Sequence, residues 1–122
     1  MRDFRKLDIW KRSFDLVIKL YQLTKQLPDS EKYGLASQIT RAAVSIPSNI
    51  AEGCGRSSNI DLARFINISL GSSFELETQI MLVKEIYGIE DSAELLEEIN
   101  ELQRMMNGFK TYLKSKSQSP NT

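Results

Sequence analysis

The chain has no histidine, one cysteine, three prolines and six glycines among 122 residues. Without histidine it lacks the commonest general base and the commonest transition-metal ligand. Serine and cysteine triads lose their usual base, and a di-iron bundle loses the Glu-x-x-His pairs it is built on. A lone Cys54 makes no intrachain disulfide, which fits a reducing compartment and a cytoplasmic protein. No apolar run approaches 18 residues, and Met1 to Lys6 leads into no apolar segment, so neither a membrane span nor a signal peptide is expected. An excess of charge is missing as well, because 16 Lys and Arg balance 16 Asp and Glu. There is no Walker loop. Gly53-Cys54-Gly55-Arg56-Ser57-Ser58 holds only the first two glycines of a dinucleotide fingerprint and reads as a helix stop followed by an N-cap. No catalytic residue, cofactor, metal or small-molecule substrate is predicted, and the chain reads as non-enzymatic.

What is present is helical periodicity from end to end. The spacing predicts an all-α protein, an up-down-up-down antiparallel four-helix bundle with helices over about 7–27, 31–54, 59–87 and 92–114. Residues 115–122 are polar and are expected to be disordered. The first helix carries two apolar stripes, Trp10, Phe14, Val17, Tyr21 and Ile9, Leu16, Leu20, Leu23, Leu27. Their centres lie about 120° apart on the helix. One stripe suffices for a bundle seam, so the other is either deep in the same core or a face for another subunit. Spacing leaves both readings open.

The second helix should start near Ser30 and bury Ala36, Ile39, Ala43, Ile46 and Ile50. Pro47 falls inside it, removing a backbone donor and crowding the carbonyl of Ala43, so a kink or a one-turn break is expected at Ser45–Pro47. Ser45, Ser48 and Asn49 are the nearby groups able to satisfy the freed backbone. Ser58 and Asp61 form a capping pattern for the third helix, whose seam is Leu62, Ile66, Ser69, Ser73, Leu76, Ile80, Val83 and Tyr87. Gly71 lies inside that helix at a cost of up to about 1 kcal/mol, and a close approach of helices two and three would offset it. Antiparallel pairing about a turn near Arg56 sets residue 41 opposite residue 71, which predicts an Arg41–Glu75 ion pair acting on register. The fourth helix should bury Leu95, Ile99, Leu102, Met106, Phe109 and Leu113, with Glu94, Glu97, Glu98 and Glu101 on a solvated face.

Charge is uneven along the chain: residues 1–57 hold 10 basic and 6 acidic side chains, and residues 58–122 hold 6 and 10. Arg2, Arg5, Lys6, Lys11, Arg12 and Lys19 cluster at the first helix and its approach, either as a solvated face or as a patch for phosphate contacts.

The run Ser45-Ile46-Pro47-x-Asn49-Ile50-Ala51-Glu52-Gly53, preceded by Tyr33-Gly34-Leu35, Gln38-Ile39 and Arg41-Ala42-Ala43-Val44, is similar to the signature of the four-helix-bundle proteins encoded in 23S rRNA intervening sequences. The resemblance continues at Leu7, Trp10, Phe65 and Gly71-Ser72-Ser73-x-Glu75-Leu76-Glu77, and spans roughly residues 4 to 113. Ser69 and Leu70 depart from it where relatives often have Ala. It implies a homo-oligomer, in known cases a barrel-like pentamer, and so favours an interface on the first helix, here assigned to Ile9, Leu16, Leu20, Leu23 and Leu27. Some relatives are retroelement accessory proteins that bind nucleic acid and a reverse transcriptase; no catalytic residues come with the family. The resulting expectation is an oligomeric module associated with RNA or a ribonucleoprotein. The alternative is a protein–protein scaffold.

Overall fold

Caps and turn geometry decide where each element begins. In the computed structural model, which describes residues 2–117, α1 spans Asp8–Thr24, α2 Leu35–Cys54, α3 Asn59–Tyr87 and α4 Asp91–Ser117. A single 3-10 turn, Phe4–Lys6, precedes α1, and the Asp3 carboxylate caps it by accepting from the Arg5 N–H at 3.1 Å. α2 does not start at Ser30. A second 3-10 turn occupies Asp29–Glu31 after Pro28, and the Glu31 carboxylate reaches forward to accept from the Leu35 N–H at 3.2 Å. The same carboxylate accepts from the Tyr87 hydroxyl, tying the α1–α2 connection to the end of α3. These two donors hold the Glu31 carboxyl below its ordinary range, the Tyr87 hydroxyl acting most strongly.

α3 begins as its sequence predicts, with the Ser58 hydroxyl accepting from the Asp61 N–H at 3.1 Å. It ends at Gly88, whose φ of 60° takes the left-handed cap conformation that only glycine adopts freely. α1 stops at Thr24, short of residue 27, because the Lys25 N–H turns back to the Gln22 carbonyl and the Gln26 N–H to the Leu23 carbonyl. α4 runs to Ser117, three residues into the segment expected to be disordered; the rest of that segment, 118–122, lies outside the described residues. α2 passes through Pro47 as one continuous helix, so of the expected kink or one-turn break the break does not occur. The Asn49 side-chain amide donates to the Ser45 carbonyl at 2.8 Å, and the Ser45 hydroxyl to the Ala42 carbonyl at 2.8 Å, so side chains bracket the position where proline leaves a carbonyl without its donor.

The seams read from the sequence close into one core. Leu20, Ile39, Ile50, Ile66, Leu76, Ile80, Val83, Ile99, Met106 and Leu113 are wholly buried in it. Each such side chain contributes about 1.5–3 kcal/mol on leaving water. Sequence numbers ascend on one helix as they descend on its neighbour. Ile46 meets Ser69 and Gly53 meets Leu62 across α2–α3. Glu77 meets Gln103 and Asn67 meets Lys110 across α3–α4. Arg12 meets Glu101 and Gln26 meets Asp91 across α1–α4.

Two expectations are corrected by this packing. The stripe Ile9, Leu16, Leu20, Leu23, Leu27 is not an open subunit face; all five are buried within the single chain, at 0–8% exposure. The stripe left outside is the other one, with Phe14 at 47% and Tyr21 at 48%. Nor do Arg41 and Glu75 pair with each other: both are exposed, and the α2–α3 register is three residues away from the one assumed. In the true register the close approach falls at Gly53, where an added Cβ would lie 2.7 Å from Phe65 Cβ and 2.8 Å from Leu62 Cδ1. Gly71 faces open space.

Candidate functional site

The basic residues singled out on the first helix divide into two groups. Arg12 and Lys19 lie against α4, at 2.7 Å from Glu101 and 2.7 Å from Glu98. The hydrogen bond that the Lys19 ammonium donates to Glu98, with the charge of that carboxylate, raises the Lys19 pKa above the ordinary lysine value. Lys11 is exposed on the same helix. Arg2, Arg5 and Lys6 lie instead at one end of the bundle. There the Arg2 N–H donates to the Cys54 carbonyl at 3.1 Å, closing the last turn of α2.

Folding brings further cations to that end, which a reading of the first helix alone misses. Because neighbouring helices run in opposite directions, the start of α1, the end of α2, the start of α3 and the end of α4 meet there. Arg56, Arg64, Lys110 and Lys114 thereby join Arg2, Arg5 and Lys6. Divided at the helix midpoints, this half (residues 2–15, 45–72 and 104–117) holds eleven basic and five acidic side chains, and the other half five basic and eleven acidic. The neutral chain is therefore polarised along its axis. The signal was available in sequence once alternating helix direction was assumed.

Three arginines of the basic end rest on rings: Arg2 over Phe109 at 5.6 Å, Arg5 over Phe4 at 4.5 Å and Arg56 over Phe65 at 4.8 Å. Stacking of this kind orients a planar guanidinium while leaving its N–H edge free to fork onto phosphate oxygens. Arg5 and Arg56 also touch the exposed carboxylates of Asp3 at 3.3 Å and Glu52 at 3.2 Å. Such exposed pairs contribute little and exchange readily for a stronger anion.

Two apolar surfaces complete the inventory. Between α1 and α2, Phe4, Trp10, Phe14, Val17, Val44 and Pro47 line an open groove of about 360 Å³. The rings of Phe4, Trp10 and Phe14 form a ladder along it, with centroids 5.1 and 5.0 Å apart. On the outer side of α3, Ile60, Ile68, Phe74, Met81, Leu82 and Ile86 are 44–58% exposed. Of the motif residues, Pro47 and Gly53 are buried, Ser45 and Asn49 are half-buried, and Glu52 is exposed. Cys54 is 1% exposed, and burial pushes its thiol pKa up, so it is a poor nucleophile. Among the described residues no cluster of three or more His, Cys, Asp or Glu side chains could hold a metal, and no helix is long and apolar enough to cross a membrane.

No relative is found among proteins of curated function. A crystal structure from Bacteroides thetaiotaomicron, described as a protein of unknown function from the S23 ribosomal protein family, shares this fold with a TM-score of 0.77. It is 23% identical, and the match covers 84% of this chain and 95% of that one. The family model of the 23S rRNA-intervening sequence protein matches residues 5–108, nearly the whole helical bundle. The chain belongs to the 23S rRNA-intervening sequence protein family.

Proposed function

We propose that the protein is a non-enzymatic, homo-oligomeric module that binds structured RNA, alone or within a ribonucleoprotein, through the basic end of its bundle. The observation that carries this reading is the axial polarisation of a neutral chain. Eleven cations against five anions gather at one end, three of the arginines stacked on aromatic rings. A surface of this kind attracts phosphates without reading base edges. It positions RNA by shape and charge. The exposed apolar faces support self-association, which multiplies one basic end into a continuous surface. The absence of histidine, together with a buried, poorly nucleophilic Cys54, supports a role outside catalysis.

The test is fluorescence anisotropy with structured 23S-type RNA at two salt concentrations. Binding should weaken steeply with salt. Arg2→Glu with Arg64→Glu and Lys114→Glu should weaken it more than Arg12→Glu with Lys19→Glu, which lie along the side of the bundle against α4. No binding at low salt sinks the RNA reading. The apolar groove between α1 and α2 then favours a protein–protein scaffold, the second reading.

A further inference from the structure

Arg41 and Glu75 are both exposed charges with no ion-pair partner of their own among the described residues, and each sits at an apolar surface. Arg41 lines a shallow hollow with Tyr21, Ser37, Thr40, Val44 and Ser45, and Val44 continues that hollow into the aromatic groove between α1 and α2. Glu75 follows Phe74 on the outer side of α3, one turn from Gly71. Gly71 is the second observation. A glycine inside a long helix costs about 1 kcal/mol against alanine. Within this chain nothing offsets that cost, because a Cβ there would meet no atom within 4 Å.

We infer that the outer face of α3 of one copy packs into the α1–α2 groove of the next, with Glu75 of the first copy paired to Arg41 of the second over the space left by Gly71. Three features select a second copy as the occupant. The hollow that adjoins the groove carries an unpaired cation and the ridge an unpaired anion, so the two faces complement each other in charge as well as in apolarity. The two faces lie on different sides of the bundle, so the contact is head-to-tail and every copy offers one of each. The two charges also stand at the same height. The contacts of Ile46 with Ser69 and of Gly53 with Leu62 set residue 75 level with residue 40 on α2. Copies can therefore follow one another without sliding along the bundle axis. This inference rests on the homo-oligomeric part of the proposed function and adds the two faces and the pair that sets their register.

Sedimentation equilibrium of the full chain tests it, with circular dichroism to confirm that each variant keeps its helices. Arg41→Glu and Glu75→Arg should each raise the concentration for half-assembly by roughly tenfold or more, since each sets like charges face to face. The double variant should recover assembly. An equal mixture of the two single variants should also assemble better than either alone, because the groove of one then accepts the ridge of the other. A wild-type chain that stays monomeric at its highest soluble concentration overturns the oligomeric reading itself. A wild type that assembles while both single variants assemble equally well overturns the pair alone. Recovery in the double variant without recovery in the mixture also overturns it, by placing the pair within one chain. Assembly only after addition of a cell extract assigns the groove to a different protein and overturns the second copy as occupant.

Discussion

Gly53, in the last turn of α2, and Gly71, in the middle of α3, lie on neighbouring helices, yet their surroundings are opposites. Gly53 is walled in by Leu62 and Phe65, and Gly71 looks out into solvent beside Phe74 and Ile68. The first shows what a helix glycine does inside one chain: it lets α2 and α3 approach until a methyl group no longer fits. The second, in mid-helix, carries the full propensity cost and has no internal return, so its use lies outside the chain. The two sides of α3 repeat the lesson. Its inner side buries Ser69 and Ser73, and its outer side leaves Ile68, Phe74, Met81 and Ile86 half exposed.

The comparison breaks most visibly at Gly53. Gly53→Ala should lower the unfolding free energy by roughly 1–3 kcal/mol despite the gain in helix propensity, since Phe65 Cβ is close to backbone and cannot swing away. A urea titration with an unchanged slope measures it. Ser69→Ala should cost about 1 kcal/mol by removing the hydroxyl that donates to the Ile46 carbonyl at 2.9 Å. Gly71→Ala should act in the reverse sense, stabilising the isolated chain by about 0.5–1 kcal/mol. The same variant should weaken self-association. A Gly71→Ala chain that is both more stable and equally oligomeric would falsify the idea that this glycine serves a contact.

The smallest effect belongs to the far end of α3, where the closing contact is a hydrogen bond. The Glu31 carboxyl sits below its ordinary value of 4.5, so its contribution is complete above that value and is lost as pH falls through the depressed range. Tyr87→Phe removes the larger of its two donors. The variant should therefore show a flatter fall in melting temperature between about pH 5 and about pH 3 than the wild type.

Much of the fold was legible because burial imposes a 3.6-residue period. Ile39, Ala43, Ile46 and Ile50 on α2, and Leu95, Ile99, Leu102, Met106 and Leu113 on α4, are buried where their spacing placed them. The α2–α3 register was not legible, since it depends on how the residues between Cys54 and Asn59 turn, and a small change there moves every opposing pair. That shift of three residues moved the close approach from Gly71 to Gly53. The inward stripe of α1 was hidden for a different reason. Both stripes are apolar with the same period, and only the shape of the neighbouring helices selects Ile9, Leu16, Leu20, Leu23 and Leu27. The α2 start was misplaced because Ser30 has the chemistry of a cap, whereas the longer Glu31 reaches the Leu35 N–H from a 3-10 turn. The basic end was only half visible. Its cations come from four separate segments, and the clustered lysines and arginines of α1 drew attention to a face that α4 already compensates.

The solitary thiol of Cys54 has a practical consequence. It is sealed at the last turn of α2, beneath the N-terminal segment whose Arg2 N–H holds its carbonyl. A thiol-modifying reagent can reach it only when the molecule opens. Its labelling rate is therefore a clock for that opening, readable in the unmodified protein without an added probe. If the clock slows when copies associate, the closed time of a single subunit reports directly on its neighbours.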